Sequence, residues 1–188
     1  MRVLVTGGSS LVGREVAERL RRRGDSVVLF QRNRLAGDRF EQRLGDLADA
    51  GAVTAAVAGV DAVVHLAARV GIVGDWAAFE RTNIAGTANL MSAARAEGVG
   101  RVVHVSSPSV AHAGDSLVGV GVGPADPNGA RGHYARSKAQ AELETLAMSS
   151  DSFPVVAVRP HLIWGPGDTQ LVGRIVARAK AGRLATIG

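Results

Sequence analysis

The chain has 188 residues, of which 46% are hydrophobic and 21% are charged, and its formal net charge is +5. This composition is typical of one globular domain with a sizeable core, and it excludes disordered and fibrous proteins. Cysteine is absent, which excludes disulfides and thiolate metal sites, and the lack of a leader or a long apolar run predicts a cytoplasmic chain without a membrane span.

The distribution of the positive charge argues against nucleic acid as a partner. The one dense arginine run, residues 21–23, stands at the end of a predicted helix, where cations complement the helix dipole. Aromatic residues make up 4% of the chain, which leaves few side chains to stack on bases. We therefore expect no nucleic-acid partner and assign the charge to an anionic small ligand.

Short apolar and β-branched runs alternate with longer helix-like segments along the chain. The runs are nearly continuous, which is typical of strands in a sheet that is covered on both faces. Strands are predicted at residues 3–5, 27–30, 62–66, 102–105 and 155–158, with a weaker one near 42–47. Helices are predicted at about 13–23, 49–58, 75–97, 134–149 and 169–182. This alternation predicts one α/β domain over residues 1–188, a doubly wound parallel sheet of the Rossmann type.

The first predicted strand runs directly into a glycine-rich turn that opens a helix. Glycine permits the tight turn and lets the backbone approach a pyrophosphate at the helix N-terminus, where free N–H groups favour anions. Ser10 stands where a glycine would complete a G-x-x-G-x-x-G spacing; its hydroxyl can donate to phosphate, although its Cβ crowds the approach. The turn predicts dinucleotide binding by Gly7, Ser9, Ser10, Leu11, Val12 and Gly13.

The end of the second predicted strand bears on which dinucleotide is bound. A carboxylate there would accept the ribose 2′-hydroxyl of NAD, but the chain offers Gln31 and Arg32. A guanidinium accommodates a 2′-phosphate, so the sequence favours NADP, with NAD as the alternative. Arg32 is otherwise a solvated arginine after a strand. Asp46, which precedes Leu47, is predicted to accept from the adenine amino group or to be an ordinary turn carboxylate.

A stretch rich in Gly, Pro and Asp at residues 113–132 is predicted to be a loop, which either covers the reacting centre or is an inert surface excursion. It leads into Tyr134, the one tyrosine of the chain, and Lys138, one of its two lysines. Residues four apart share a helix face, and an ammonium beside a phenol favours phenolate. The pair predicts proton transfer near neutral pH, with a solvated helix face as the alternative.

Further short motifs follow in a fixed order. They are Gly45-Asp46-Leu47, His65-Leu66-Ala67-Ala68, Asn83-Ile84-Ala85-Gly86-Thr87, Val105-Ser106-Ser107-Pro108-Ser109-Val110, Tyr134-Ala135-Arg136-Ser137-Lys138 and Arg159-Pro160-His161-Leu162-Ile163-Trp164-Gly165-Pro166. Together with the glycine-rich turn, their order and spacing resemble the extended short-chain dehydrogenase/reductase family, and more closely its 3β-hydroxysteroid dehydrogenase branch.

The resemblance implies catalysis by Ser107, Tyr134, Lys138 and Asn83 with a nicotinamide cofactor. Tyr134 would exchange the hydroxyl proton with the substrate. Lys138 would bind the nicotinamide ribose and lower the tyrosine pKa, although one exposed ammonium is too weak a cause by itself. Ser107 would position the carbonyl oxygen, with a capping turn serine as the alternative. Asn83 would hold a water in a proton relay to the lysine, or be a plain polar helix residue.

The resemblance also implies contacts beyond the catalytic set. Cofactor contacts are expected from Leu66, Ala67, Ala68, Tyr134, Lys138, Pro160 and Leu162. The helices at about 75–97 and 134–149 pair across dimers in relatives, so a homodimer is expected. Relatives continue for well over a hundred further residues, so the substrate domain is expected to be largely missing.

Three functions remain open from the sequence. The leading one is an NAD(P)-dependent dehydrogenase or reductase that interconverts a secondary alcohol and a ketone on a hydrophobic small molecule, either a 3β-hydroxysteroid or sterol or a 2-alkyl-3-oxo-acid. The alternatives are a nucleotide-sugar epimerase or dehydratase, and a non-catalytic NADP-binding sensor. We expect no metal, because His65, His104 and His161 lack a compact His/carboxylate spacing and are predicted to be hydrogen-bonded structural groups.

Overall fold

The computed structural model describes residues 1–37, 39–71, 73–112, 118–168 and 172–183. The strands are β1 (Arg2–Thr6), β2 (Ser26–Gln31), β3 (Glu41–Leu44), β4 (Ala62–His65), β5 (Arg101–Val105) and β6 (Val155–Val158). The helices are α1 (Leu11–Arg22), α2 (Ala50–Val57), α3 (Trp76–Phe79), α4 (Gly86–Ala96), α5 (Gly132–Ala147) and α6 (Val172–Lys180). A π-helical turn (Glu80–Ala85) joins α3 to α4, and a short 3₁₀ turn (Pro108–Ala111) follows β5.

The six strands form one parallel sheet in the order β3-β2-β1-β4-β5-β6. This is the Rossmann strand order, in which the chain reverses direction across the sheet between β1 and β4. The predicted doubly wound parallel sheet is confirmed. Ligands of such sheets bind at the carboxyl ends of the strands next to this reversal, which is where Thr6 and His65 lie.

Two apolar clusters cover the two faces of the sheet. One packs Val5, Leu29 and neighbouring strand side chains against Ala17 of α1. The other packs Leu4, Phe30 and further strand residues against α2 and α4. Alternate strand residues thus point to opposite faces, and both sets are apolar, as the nearly continuous runs predicted.

The last strand differs from this prediction. Val156 and Val158 of β6 are 51% and 39% exposed, so the described helices do not cover that face of the strand. A continuous apolar run predicts a strand with two apolar faces, but it does not say whether another element packs on each face.

The predicted helix over 75–97 is found as a nearly continuous helical segment, but it contains the π-helical turn. π-turns insert one extra residue into an α-helix and occur frequently at functional sites. Among the described residues, no helix combines the length and the apolar character needed to cross a membrane.

Candidate active site

The glycine-rich turn brings the backbones of β1, β4 and α1 into close contact. Gly7 has φ +73°, and a Cβ there would lie 2.9 Å from the amide nitrogen of Ala67. A Cβ on Gly13 would lie 2.3 Å from the carbonyl oxygen of Gly7. Glycine is therefore required at both positions, and the N-terminus of α1 opens toward the carboxyl edge of the sheet.

Ser10 has a different role from the predicted phosphate donor. Its Oγ accepts from the Gly13 amide at 3.0 Å and donates to the Gly7 carbonyl at 2.9 Å, so the hydroxyl caps α1. The hydroxyl hydrogen is already used inside the turn. The first-turn amides of Leu11 and Val12 have no intrahelical acceptor, and they are the donors that the helix offers to an anion.

A cavity of about 430 Å³ lies beside this turn. It brings together these predicted cofactor residues: Gly7, Ser9, Ser10, Arg32, Asp46, Leu47, Leu66, Ala67 and Ala68. It also has lining residues that the sequence did not predict: Phe30, Gln31, Gly45, Arg69, Val70, Arg81 and Thr82. Arg69 and Arg81 had no detectable signal, because they reach the cavity through the loop after β4 and the π-helical turn.

The cavity contains a buried acceptor at the end of β2. Gln42 accepts from the Leu35 amide and donates to the Leu35 carbonyl, which fixes its amide orientation. Gln31 Nε2 then donates to Gln42 Oε1 at 3.1 Å. This leaves Gln31 Oε1 buried and without a partner among the described residues, beside the exposed side chain of Arg32.

Asp46 closes a local turn as well as lining the cavity. Its Oδ1 accepts from the Ala48 amide at 2.9 Å. The carbonyl of the next residue, Leu47, accepts from Asn89 Nδ2 at 2.9 Å. The Leu47 side chain also packs closely on α4, because a Cβ on Gly86 would lie 2.7 Å from the Leu47 Cβ. Asp46 is thus both an ordinary turn carboxylate and a cavity residue. Contacts from α4 to the neighbouring Leu47 fix the position of this turn.

A buried chain of hydroxyls fixes the loop that follows β4. Thr6 Oγ1 accepts from the amides of Leu66 and Ala67, so its hydrogen goes to Nδ1 of His65 at 2.7 Å. His65 therefore carries its proton on Nε2, which lies 2.9 Å from Thr87 Oγ1. Burial, with Lys138 nearby, lowers the pKa of His65 to about 3 and keeps the ring neutral. The prediction of a hydrogen-bonded structural histidine is met by these contacts.

Ser107 and Tyr134 meet at the carboxyl end of β5. Ser107 Oγ lies 2.9 Å from Ser109 Oγ and caps the 3₁₀ turn. Burial raises the pKa of Tyr134, and its interaction with the Ser107 hydroxyl opposes the rise. The expected depression of this pKa by Lys138 is not found: burial sets the direction of the shift, and Lys138 is not among its causes.

Lys138 is buried rather than exposed as expected. Its side chain is 2% exposed, and Nζ donates to the Val105 carbonyl at 2.9 Å and lies 3.3 Å from Nε2 of His104. Burial lowers the pKa of Lys138 to about 8, and the Glu142 carboxylate acts against this shift. The solvated-face alternative for the Tyr134 and Lys138 pair is therefore wrong.

A buried ion pair lies one helical turn beyond Lys138. Glu142 is 2% exposed and binds Arg159, which follows β6. Arg159 Nη1 also donates to the Gly123 carbonyl at 2.8 Å. The pair therefore holds the described part of the loop before α5 against the end of the sheet. The residues of the predicted 113–132 loop that precede Val118 lie outside the described residues.

Asn83 lies in the π-helical turn and is 1% exposed. Its Oδ1 accepts from the Arg69 amide at 2.7 Å, and its Nδ2 donates to the Arg69 carbonyl and to Ser137 Oγ. The Ser137 hydroxyl donates in turn to the Tyr134 carbonyl. Asn83 thus links the loop at the cavity to the helix that carries Tyr134 and Lys138, and both of its amide hydrogens are used inside the protein.

Pro160 and Leu162 follow β6 and do not line the cavity; Leu162 is 67% exposed. Tyr134 and Lys138 also lie outside its lining, which therefore covers the nucleotide end of the site. His161 is exposed after β6. Among the described residues, no group of three or more His, Cys, Asp or Glu side chains is arranged to hold a metal ion.

Comparison with known proteins identifies this arrangement. The family model of the NAD dependent epimerase/dehydratase family matches residues 3–188. The chain belongs to this family. The relatives include dehydrogenases of the 3β-hydroxysteroid branch, as the resemblance implied.

Two curated relatives show how the family matches in sequence. The 2-alkyl-3-oxoalkanoate reductase of Stenotrophomonas maltophilia is 44% identical over 100% of this chain and 58% of its own length. The 3 beta-hydroxysteroid dehydrogenase/Delta 5-->4-isomerase of Mycobacterium tuberculosis is 33% identical over 93% of this chain and 50% of its own length. The chain thus spans roughly half of the length of these relatives.

Solved structures of the family agree in fold. MoeE5 in complex with UDP-glucuronic acid and NAD has a TM-score of 0.82 and 29% identity, over 95% of this chain and 61% of that one. The UDP-glucose 4-epimerase of Thermus thermophilus in complex with NAD has a TM-score of 0.77 and 29% identity, over 94% of this chain and 60% of that one. These relatives bind a nicotinamide dinucleotide, which supports the same class of cofactor for this family member.

Proposed function

We propose that this chain is the cofactor-binding and catalytic part of an NAD(P)-dependent oxidoreductase that interconverts a ketone and a secondary alcohol on a hydrophobic substrate. The observation that carries the proposal is the buried Lys138, whose Nζ donates to the Val105 carbonyl at the end of β5, two residues before Ser107 and one helical turn from Tyr134. These groups lie at the carboxyl edge of the same sheet as the nucleotide cavity.

The residues of the cavity fit a dinucleotide. Close backbone contacts at Gly7 and Gly13 shape the turn, and the free amides at the start of α1 suit a pyrophosphate. Thr6 accepts from the amides of Leu66 and Ala67 and so fixes this part of the cavity wall. Asp46 and Gln31 supply acceptors at the end of the cavity away from the turn. The pyrophosphate and the adenosine end of a dinucleotide thus have complementary groups near the sheet edge.

The tyrosine is suited to give a proton. Because burial raises its pKa, Tyr134 is a neutral phenol at neutral pH, which is the form that donates to a carbonyl oxygen. A reduced nicotinamide held at this edge would supply the hydride for the carbonyl carbon. Tyr134 gives its phenolic proton to the oxygen, Ser107 donates a hydrogen bond to the same oxygen, and the alcohol forms.

Lys138 stabilises the phenolate that remains. Its pKa near 8 leaves it largely an ammonium at neutral pH, four residues from Tyr134 on the same helix face. In a site from which water is excluded, this charge is worth more than in solvent. Asn83 positions Tyr134 and Lys138 through Ser137. Because both of its amide hydrogens are used inside the protein, a water of the predicted relay would have to donate to its backbone carbonyl or to Oδ1.

The substrate class is inferred from relatives and from apolar surface. The 44% identical relative is named for a 2-alkyl-3-oxoalkanoate, a ketone that carries alkyl chains. Large apolar side chains are exposed on the loops that follow β4, β5 and β6: Val70, Val73, Val118, Val120, Val122, Leu162, Ile163 and Trp164. These loops surround the carboxyl edge, so a 2-alkyl-3-oxo-acid or a sterol finds apolar contacts there. A dehydratase is disfavoured, because Pro108 and Ser109 supply no acid pair beside Ser107.

We test catalysis with NADPH and NADH oxidation against a panel of 2-alkyl-3-oxo-acids and 3-oxosteroids. Tyr134→Phe removes the phenolic proton and keeps the ring, so the rate is expected to fall at least about a hundredfold while cofactor affinity stays within about threefold. Equal turnover by wild type and variant would remove Tyr134 from the reaction. Tight cofactor binding with no turnover of any ketone would favour a sensor.

We propose NADP as the preferred cofactor, on the strength of Arg32 at the cavity and of Arg69 and Arg81 near it. Arg32→Asp replaces the guanidinium by a carboxylate, which repels a 2′-phosphate and accepts from a 2′-hydroxyl. The NADPH/NADH affinity ratio, measured by cofactor fluorescence, is expected to fall at least about tenfold. Arg34→Asp, an equal charge change at an exposed residue outside the cavity lining, is the matched control. An unchanged ratio in Arg32→Asp would exclude this arginine.

A further inference from the structure

One buried group at the reacting end of the site has no role in the mechanism so far. His104 lies on β5, three residues before Ser107, and is 0% exposed. Its Nε2 is 3.3 Å from Nζ of Lys138, whereas its Nδ1 has no partner among the described residues. A buried polar atom without a partner costs stability. The other nitrogen, Nε2, is therefore where a role of this histidine is to be sought.

The protonation state of His104 follows from its surroundings. The groups that face it and Lys138 are His65 on β4, with ring centroids 5.4 Å apart, and Glu142 on α5, which is bound to Arg159 after β6. Burial and the Lys138 ammonium lower the pKa of His104, so the ring is neutral. An ammonium donates and never accepts. Nε2 is therefore the acceptor, and the ring proton is on Nδ1.

This bond changes how the lysine is held. A lysine ammonium has three hydrogens on a flexible stem. One hydrogen goes to the Val105 carbonyl and a second points to His104, so adjacent residues of β5 take two of the three. The third has no acceptor among the described residues and is the one available to a ligand.

We propose that His104 is a positioning residue for Lys138, accepting one ammonium hydrogen so that the lysine is fixed from β5 and presents its remaining hydrogen to the cofactor ribose. The inference rests on the proposed function, because that function gives Lys138 its task. It does not depend on Asn83, whose side chain bonds to Arg69 and Ser137 instead.

The chain offers a direct measurement that needs no substrate. It has two lysines, Lys138 and Lys180, so protein grown on [6-¹³C]lysine gives two resonances, and Lys180→Arg assigns them. A hydrogen bond to a charged group stabilises the charged form. His104→Phe keeps a ring and removes the acceptor, so the titration midpoint of Lys138 is expected to fall by about one pH unit. His104→Gln, whose amide oxygen accepts, is expected to restore at least half of that fall.

A control and a binding readout separate positioning from general damage. His133→Phe makes the same change at an exposed histidine of α5, and the Lys138 midpoint should stay as in wild type. NADPH fluorescence titrations at pH 7 and pH 9 should show affinity lost at a lower pH in His104→Phe than in wild type, because the ammonium is lost earlier.

The outcomes are distinct. A Lys138 midpoint in His104→Phe equal to that of wild type would overturn the proposal. If the phenylalanine variant does not fold, His104→Leu gives the same comparison with a smaller side chain. If wild type binds no NADPH, the proposed function fails, and the lysine titration still decides the role of His104.

Discussion

At the scale of single residues, the neutral histidines beneath the site couple stability to pH. The pKa of His65 is lowered to about 3 in the folded chain from an ordinary value of 6.5, and that of His104 is lowered as well. Below pH 6.5 the unfolded chain takes up protons that the folded chain does not. Stability is therefore full above pH 6.5 and is lost as the pH falls from 6.5 toward 3.

We predict that the free energy of unfolding falls by roughly 1 kcal/mol per pH unit for each of these histidines below pH 6.5. Urea melts at pH 7 and pH 5 measure the slope, in a window above the ordinary range of carboxylates. His65→Gln removes one of the two buried rings, so its slope should be shallower than that of wild type. A wild-type stability that is flat between pH 7 and pH 5 would show that neither ring is held neutral.

The residue scale also shows which placements the local sequence pattern could predict. The glycine-rich turn at the start of α1 and the position of Tyr134 and Lys138 on one helix follow from spacing, so both placements were predictable. The hydrogen-bond partners of Ser10, His104 and Gln31 were not, because the residue pattern does not say which atoms take these bonds. Ser10 bonds within its own turn, while His104 meets a lysine that is 34 residues away in the chain.

At the scale of elements, the strands and the extent of the helical segment over 75–97 were predicted closely, but the π-helical turn inside that segment was not. The β6 prediction of 155–158 matches the structure, since a short β-branched run has one interpretation in an α/β chain. The π-helical turn at Glu80–Ala85 has no such pattern in its sequence. It arises from tertiary contacts, and its residue Asn83 donates to Ser137, which lies 54 residues further along the chain.

We predict that Asn83→Ala loosens the site through this turn. Three hydrogen bonds are lost and the Arg69 backbone is left without its partners, so unfolding free energy should fall by about 2 to 4 kcal/mol. NADPH affinity should weaken about tenfold, because Arg69 lines the cavity. Hydrogen exchange at the Arg69 amide measures the local effect and should become faster.

Asn89→Ala supplies the matched control for that experiment. Asn89 is on the adjoining helix α4 and donates to the Leu47 carbonyl, at the other side of the cavity. Its loss should leave exchange at Arg69 as in wild type. If Asn83→Ala leaves that exchange unchanged too, the link through the π-helical turn does not hold the loop.

At the scale of the whole molecule, two exposed apolar surfaces are candidates for a contact between copies of the chain. The first is the face of α5 that carries Leu143 and Leu146, which are 39% and 38% exposed, beside small exposed residues of α4. The second is β6, where Val156 and Val158 are exposed on an edge strand. Exposed edge strands pair with other chains, whereas helix faces with apolar stripes pack.

We predict a homodimer through α4 and α5, as the resemblance implied. A two-fold interface buries the same face of both copies, so Leu146→Glu places a charge on both sides of an apolar contact. The dissociation constant from sedimentation equilibrium should rise at least about tenfold. Val156→Glu makes a comparable change on β6 and should leave the constant within about twofold. The reverse result, with Val156→Glu monomeric and Leu146→Glu dimeric, would assign the dimer contact to β6. A buried charge weakens only the interface in which it lies.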